Sequence, residues 1–235
     1  MPDPDEGRPY HHGQLRDALL AAAIALEPAH GPLGLSLRQV AKHAGVSHAA
    51  VYNHFASKDA LVVAVADLGF AQLTAALSET LARPGGGRAH PPGYAGFFTL
   101  GEIARAYVRF ASRHASLFRF MFGTPPQAGA SLADRQDAVL ALFARAIEMA
   151  QADGTVRRGV AARYGAQLWS LVHGVAALSA NDALDGVPRG RQGKQSPSVR
   201  ERRALDVTQG AVAAFVMGVK DPLHRLAGLG GDGSQ

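Results

Sequence analysis

Long stretches of this chain carry apolar residues every three or four positions, and short stretches rich in glycine and proline separate them. That interval lines one face of a helix, whereas a strand needs alternation at every second residue. Period-two alternation with hairpin turns is essentially absent, so the fold class expected is all-α, with about nine helices. A first helix is predicted from about Gln14 to Leu26 or a little beyond, with Leu15, Leu19, Ala22, Ala23 and Leu26 on its apolar face. Pro28 and Gly31 are expected to end it. A second, short helix begins near Leu37 and turns Val40 and Ala41 inward. Ser36, followed three residues on by Gln39, forms a capping box at its start. Ala44-Gly45-Val46 breaks it. A third short helix follows Ser47, a good N-cap, and Ser57 caps a fourth and longer one. The fourth places Leu61, Val65, Leu68, Leu73, Leu77 and Leu81 at apolar positions.

Residues 84–94 (PGGGRAHPPGY) read as a loop. Further helices are predicted at about 96–113, 115–123, 131–152, 159–183 and 199–219. Residues 186–199 are rich in Gly, Pro and basic side chains and are expected to form a mobile loop.

Composition narrows the class. The chain has 235 residues, 47% of them hydrophobic, enough to bury a core. It has no cysteine, which excludes disulfides and thiolate metal sites. The opening MPDPDEGRPYHHG lacks an apolar segment of the signal-peptide kind. No run approaches the roughly 18 consecutive apolar residues of a membrane span. A soluble, cytoplasmic protein is expected. The net charge is +5, but it is not concentrated near the start. Over residues 1–60, Arg8, Arg16, Arg38, Lys42 and Lys58 stand against Asp3, Asp5, Glu6, Asp17, Glu27 and Asp59. Leaving out the acidic tip, five cations face three acids. Histidines 11, 12, 30, 43, 48 and 54 can add partial positive charge beside phosphates. A case for nucleic acid must therefore rest on pattern rather than bulk charge.

The pattern lies at residues 36–58, SLRQVAKHAGVSHAAVYNHFASK. Two short helices meet at Gly45, the glycine that a tight interhelical turn favours. Val40, Ala41, Val46 and Val51 are spaced to lock the pair, and Ala41 is small enough for close approach. The second helix then presents Ser47, His48, Ala49, Tyr52 and Asn53 outward. A helix of this kind fits the major groove with its N-terminal residues nearest the base edges.

Residues 35–61 resemble the helix-turn-helix of the TetR family of transcription regulators. Val40-Ala41, Ala44 to Ser47, Tyr52, His54-Phe55, Ser57-Lys58 and Leu61 match its pattern in order and without a gap. The opening Tyr10-His11-His12-Gly13-Gln14-Leu15-Arg16 resembles one branch of that family, named for a Trp, His and Gly in its ligand-binding domain. Trp169, His173 and Gly174 resemble the naming motif, and Phe110-Ala111, Phe118 and Met121-Phe122 its earlier helices. The resemblance covers most of residues 10–182. It implies a DNA-binding head at 10–57 and a ligand-binding and dimerisation body at 58–220, and the tails at 1–9 and 221–235 are expected to be disordered.

Carried over position by position, the resemblance assigns DNA contacts to Arg38, Ser47, His48, Ala49, Tyr52, Asn53, His54 and Lys58. The guanidinium fork of Arg38 suits guanine N7 and O6, and Ala49 suits a thymine methyl. Asn53 suits adenine or backbone. Tyr52 and His54 are expected on phosphates, as is Lys58 at the start of the fourth helix. In the body, Phe97, Phe98, Tyr107, Phe110, Phe118, Phe122, Trp169 and His173 are candidate cavity-lining residues, though for the aromatic ones a plain core role is the more common reading. Trp169 and His173 lie four apart on one helix face, with Gly174 allowing close packing. They read either as a packing motif with a hydrogen-bonded histidine or as ligand contacts.

The function expected is a repressor released from a palindromic operator by a small, largely apolar ligand. The alternative is a ligand-independent or activating regulator. A homodimer through the last two long helices is implied, because twofold symmetry doubles a short half-site. The last helix carries a small-residue stripe of Ala204, Val207, Ala211, Ala214 and Gly218. No enzyme is expected, since the chain lacks a nucleophile elbow, a phosphate-binding glycine loop and a nucleotide-binding βαβ pattern. No cofactor, membrane or metal is expected either. His11 and His12 have no third ligand nearby in the sequence.

Overall fold

The structure is a computed structural model that describes residues 12–83, 87, 89–91, 93–123, 130–186 and 196–219. Among these, nine α-helices and one 3-10 turn make up the regular structure. They are α1 (His12–Gly34), α2 (Leu37–Ala44), α3 (His48–Tyr52), α4 (Lys58–Leu81) and α5 (Ala95–Arg113). Then come α6 (Ala115–Phe122), α7 (Ala130–Ala152), α8 (Ala161–Ala180), the turn Ala183–Gly186 and α9 (Pro197–Val219). The expected tails, His11 and most of the 186–199 loop lie outside the described residues.

The chain divides into two compact units. One holds residues 1–69 and 116–132, the other 70–115 and 133–235. The first thus includes the opening half of α4 and almost all of α6 beside the three N-terminal helices.

In the first unit, α1 runs past its expected end. Pro28 lies inside the helix, and the break comes at Gly31, with φ 66° and ψ 166°. Proline removes a single N–H, here the one that would reach the carbonyl of Ile24, and late in a long helix that loss is tolerated. Gly31 is the true stop because its φ is one that side-chain-bearing residues avoid. Pro32 then opens a last turn, a position its fixed φ suits. Leu19 and Ala23 of α1 are wholly buried, as are Val40, Val51, Leu61 and Val65.

The short helices are held by their caps. Ser36 Oγ accepts from the Gln39 amide at 3.3 Å, and Gln39 Oε1 accepts from the Ser36 amide at 2.9 Å. Gly45, at φ 71°, closes α2 in the left-handed region. Ser47 Oγ accepts from the Ala50 amide at 3.2 Å, and Ser57 Oγ from the Ala60 amide at 3.1 Å. Gly69 does not interrupt α4. A Cβ there would stand 2.6 Å from Met121 Sδ and 3.0 Å from Leu117 Cγ, so its absence lets α6 come close.

In the second unit, α5 packs against α8 and α9, and these two pack on each other. Two glycines set the approach of α7. A Cβ at Gly96 would lie 2.6 Å from Ala150 Cα, and one at Gly165 would lie 2.7 Å from the Ala144 nitrogen. Tyr107, Phe143, Ile147, Leu168 and Val172 are fully buried. Glu201 of α9 pairs with Arg109 at 3.4 Å and Arg113 at 3.0 Å on α5. By length and composition α4 is apolar enough to cross a membrane, though no uninterrupted apolar run suggested it. Its Leu61, Val65, Ala66, Phe70, Leu73 and Leu77 are buried within the fold.

Candidate nucleic-acid interface

Helix α3 is five residues long and owes its orientation to one buried side chain. Val51 is fully buried, and Phe55 just beyond the helix is nearly so. With Val51 turned inward, most of the helix faces out, and Ala50 is half-buried. Ser47, His48, Ala49, Tyr52 and Asn53 are exposed, as is Arg38 at the start of α2. His54 and Lys58 are half-buried. Asn53 caps the C-terminus of α3. Tyr52, 50% exposed, meets the His48 ring edge to face with centroids 5.0 Å apart.

Arg38, His48, Tyr52, Ser57 and Lys58 line one open cleft of about 570 Å³. Two cations, an imidazole, a phenol and a hydroxyl thus converge where a polyanion's backbone and base edges could both be reached. Lys58 has a second task. Its Nζ donates to the Leu33 carbonyl at 2.9 Å, pinning the last turn of α1 to the start of α4. An ammonium has three donors, so this bond leaves capacity for a phosphate. Behind the interface, the Arg16 guanidinium stacks over the Phe55 ring at 5.5 Å.

The aromatic residues singled out in the body do not form one cluster. Phe118 and Phe122 belong to the first unit, with ring centroids 4.7 Å apart. In the second unit, Phe97 and Phe98 are half-buried, with centroids 5.7 Å apart, and Phe110 is buried. Tyr107, Trp169 and His173 form a joint polar centre. The Tyr107 hydroxyl accepts from Trp169 Nε1 at 3.3 Å and lies 2.9 Å from His173 Nδ1. The Trp169 and His173 rings stack at 4.9 Å. Tyr107 was a candidate from sequence, but its link to the Trp-His pair, more than sixty residues away, was not foreseen.

Gly174 does not mediate close packing within the chain. A Cβ there would meet nothing within 4 Å, and the same holds for Gly210 and Gly218 on α9. These glycines share an outward face with Leu171 (47% exposed) and Leu178 (46%) on α8, and with Val207, Ala214 and Met217 on α9. Ala204 falls off the expected stripe and is fully buried in the chain's own core. An open cleft of about 900 Å³ runs into this face between α8 and α9, where Val160, Gln167, Leu171, Ala214 and Phe215 line it. Among the described residues, no three His, Asp or Glu side chains stand together as a metal site would need.

A capped helix pair with a left-handed glycine at its turn, set in an all-helical chain, defines a helix-turn-helix protein of the regulator class. Residues 19–65 match the family described as bacterial regulatory proteins, tetR family. Residues 100–196 match the tetracyclin repressor-like C-terminal domain. The chain belongs to the TetR family of transcription regulators. No curated protein matches it by sequence. Among solved structures, a protein of unknown function from Rhodococcus sp. RHA1 is 34% identical over 92% of this chain and 100% of its own, with a TM-score of 0.70. A bacterial regulatory protein in the tetR family from Rhodococcus RHA1 is 20% identical over 85% of this chain and 97% of its own (TM-score 0.61). AibR, solved with isovaleryl coenzyme A and operator DNA, is 15% identical over 85% of this chain and 97% of its own (TM-score 0.58).

Proposed function

We propose that the protein is a homodimeric repressor that leaves a palindromic operator when a small, largely apolar ligand binds its body. The observation that carries this reading is the single cleft shared by Arg38, His48, Tyr52 and Lys58, on a helix pair held in place by Val51 and Phe55. Arg38, His48, Ala49 and Asn53 face base edges, while Ser47, Tyr52, His54 and Lys58 hold phosphates. Residues 10–57 read DNA, and residues 58–220 sense and dimerise. The apolar outward face of α8 and α9 supports dimerisation, because a face so rich in Leu, Val, Met and glycine is one that a second copy covers at low cost. The cleft between the two helices is continuous with it.

Repression follows from linkage. A ligand that binds better to the dimer with misplaced recognition helices draws the protein off DNA. In the second unit, Tyr107, Trp169 and His173, joined by hydrogen bonds, are the ligand-contacting candidates, and AibR, solved with isovaleryl coenzyme A, supplies a fold-level precedent for a bound ligand. The protein acts without catalysis, in the compartment that holds the chromosome. Selection of bound duplexes from random DNA at physiological salt, followed by ligand screening for release, tests the reading. A regulator prefers its site to random DNA by roughly a thousandfold or more. Uniform binding to all duplexes, or a monomer in solution, would rule it out.

A further inference from the structure

Glu27 is a carboxylate with 2% of its surface exposed, set on α1 one residue before Pro28. Both its oxygens are taken by Arg119 of α6. Arg119 Nε donates to Oε1 at 2.7 Å and Nη2 to Oε2 at 2.6 Å, across a separation of 92 residues. Burying a carboxylate is costly, and an apolar pair of the same size would hold two helices with less desolvation. What the planar fork adds is registry. Two parallel charge-assisted bonds fix the position and rotation of one helix on another, where apolar contacts let them slide. A second fastening lies at Gly69, whose missing Cβ leaves room for Met121 and Leu117 of α6. With both in place, α6 belongs to the same compact unit as the N-terminal helices.

We infer that Glu27 and Arg119 are positioning residues of the DNA-reading head, locking α6 in register on α1. The inference rests on the DNA-binding reading above. From α1 the contact passes to α2 and from α2 to α3, so displacement of α6 carries the recognition helix with it. By reciprocity, DNA that holds α2 and α3 stiffens α6.

The test is hydrogen exchange on the full chain, alone and with a duplex that the protein itself selects from random DNA. Residues 115–122 hold none of the assigned DNA contacts, yet their exchange should slow roughly fivefold or more on duplex binding, in line with coupling between linked sites. In Arg119→Lys, which keeps the charge and loses the fork, that slowing should be markedly reduced while slowing at 37–52 persists. Should Arg119→Lys fail to fold, Glu27→Gln keeps the side-chain shape, removes the charge and is read the same way. A wild-type α6 untouched by the duplex overturns the inference. So does a variant α6 that slows as much as wild type. If no duplex is selected, the DNA-binding reading itself fails and takes the coupling with it, a result distinct from both.

Discussion

The hydroxyl of Tyr107 stands 2.9 Å from Nδ1 of His173 where α5 packs on α8. The same oxygen accepts from the Trp169 indole, which can only donate. With the imidazole neutral and its proton on Nε2, the Tyr107 hydroxyl can donate to Nδ1 while its oxygen accepts from the indole. Burial pushes the Tyr107 hydroxyl well above the ordinary tyrosine range, and the Trp169 bond only partly opposes this. Tyr107 therefore stays protonated, and a donor, throughout the range in which the protein works. Tyr107→Phe removes both bonds without changing the apolar packing. Stability should fall by about 1–3 kcal/mol, read as a lower urea midpoint with helix content unchanged. A midpoint equal to wild type would show that the trio contributes nothing.

Burial also lowers the pKa of His173 below its ordinary 6.5. The fold favours the neutral ring, while the unfolded chain takes up a proton at the ordinary value. The stabilisation this gives is complete above 6.5 and is lost as pH falls from there toward the lowered folded value. Urea titrations at two pH values spanning that window should show wild type losing more stability on acidification than His173→Gln. The difference between the two proteins isolates this ring, and equal losses would refute its part.

Arg38 and Lys58 share one cleft but should differ in mutational effect. Arg38→Ala should relax sequence preference at one base position, at a cost of about 1–3 kcal/mol for the preferred site. Lys58→Ala should weaken all duplexes alike and reduce the salt slope by about one. Because Lys58 also holds the Leu33 carbonyl, its removal should lower the melting temperature slightly as well. Binding across a site library, repeated at several salt concentrations, separates the two. Unchanged sequence preference in Arg38→Ala would remove it from base reading.

Glycines on α8 should behave in opposite ways. Gly165→Ala places a methyl 2.7 Å from the Ala144 nitrogen and 2.9 Å from its Cα. Backbone cannot give way there, so overpacking of about 1–3 kcal/mol outweighs the roughly 1 kcal/mol gained in helix propensity. Gly174→Ala meets open space in the single chain and should leave the fold intact. Leu171→Glu and Met217→Glu, at sites 47% and 70% exposed, should yield a folded monomer by sedimentation equilibrium. A dimer as tight as wild type in both would place the interface elsewhere.

The helix-turn-helix could be read residue by residue from sequence. The Ser36–Gln39 box, the Gly45 turn and the Ser47 and Ser57 caps span three or four positions each, and such bonds depend on chain geometry within a single turn. Inward Val51 and outward Tyr52 follow from the same periodicity. Of the two residues expected to end α1, Pro28 does not, because one lost donor late in a helix does not enforce a break. The left-handed backbone of Gly31 sets the break instead.

What the residues determined by themselves is therefore local: which segments wind into helices, where α2, α3 and α4 are capped, and which face of α3 points outward. Tertiary structure decided the rest. A glycine in a helix is the same letter whether it admits Met121 at Gly69, the Ala144 backbone at Gly165, or nothing at all at Gly174. An acid on an apolar face gives no hint that its partner lies 92 residues on. Such meanings depend on which helices come to lie side by side, and that is settled by the packing of whole apolar faces across the chain rather than by any one residue's neighbours in sequence.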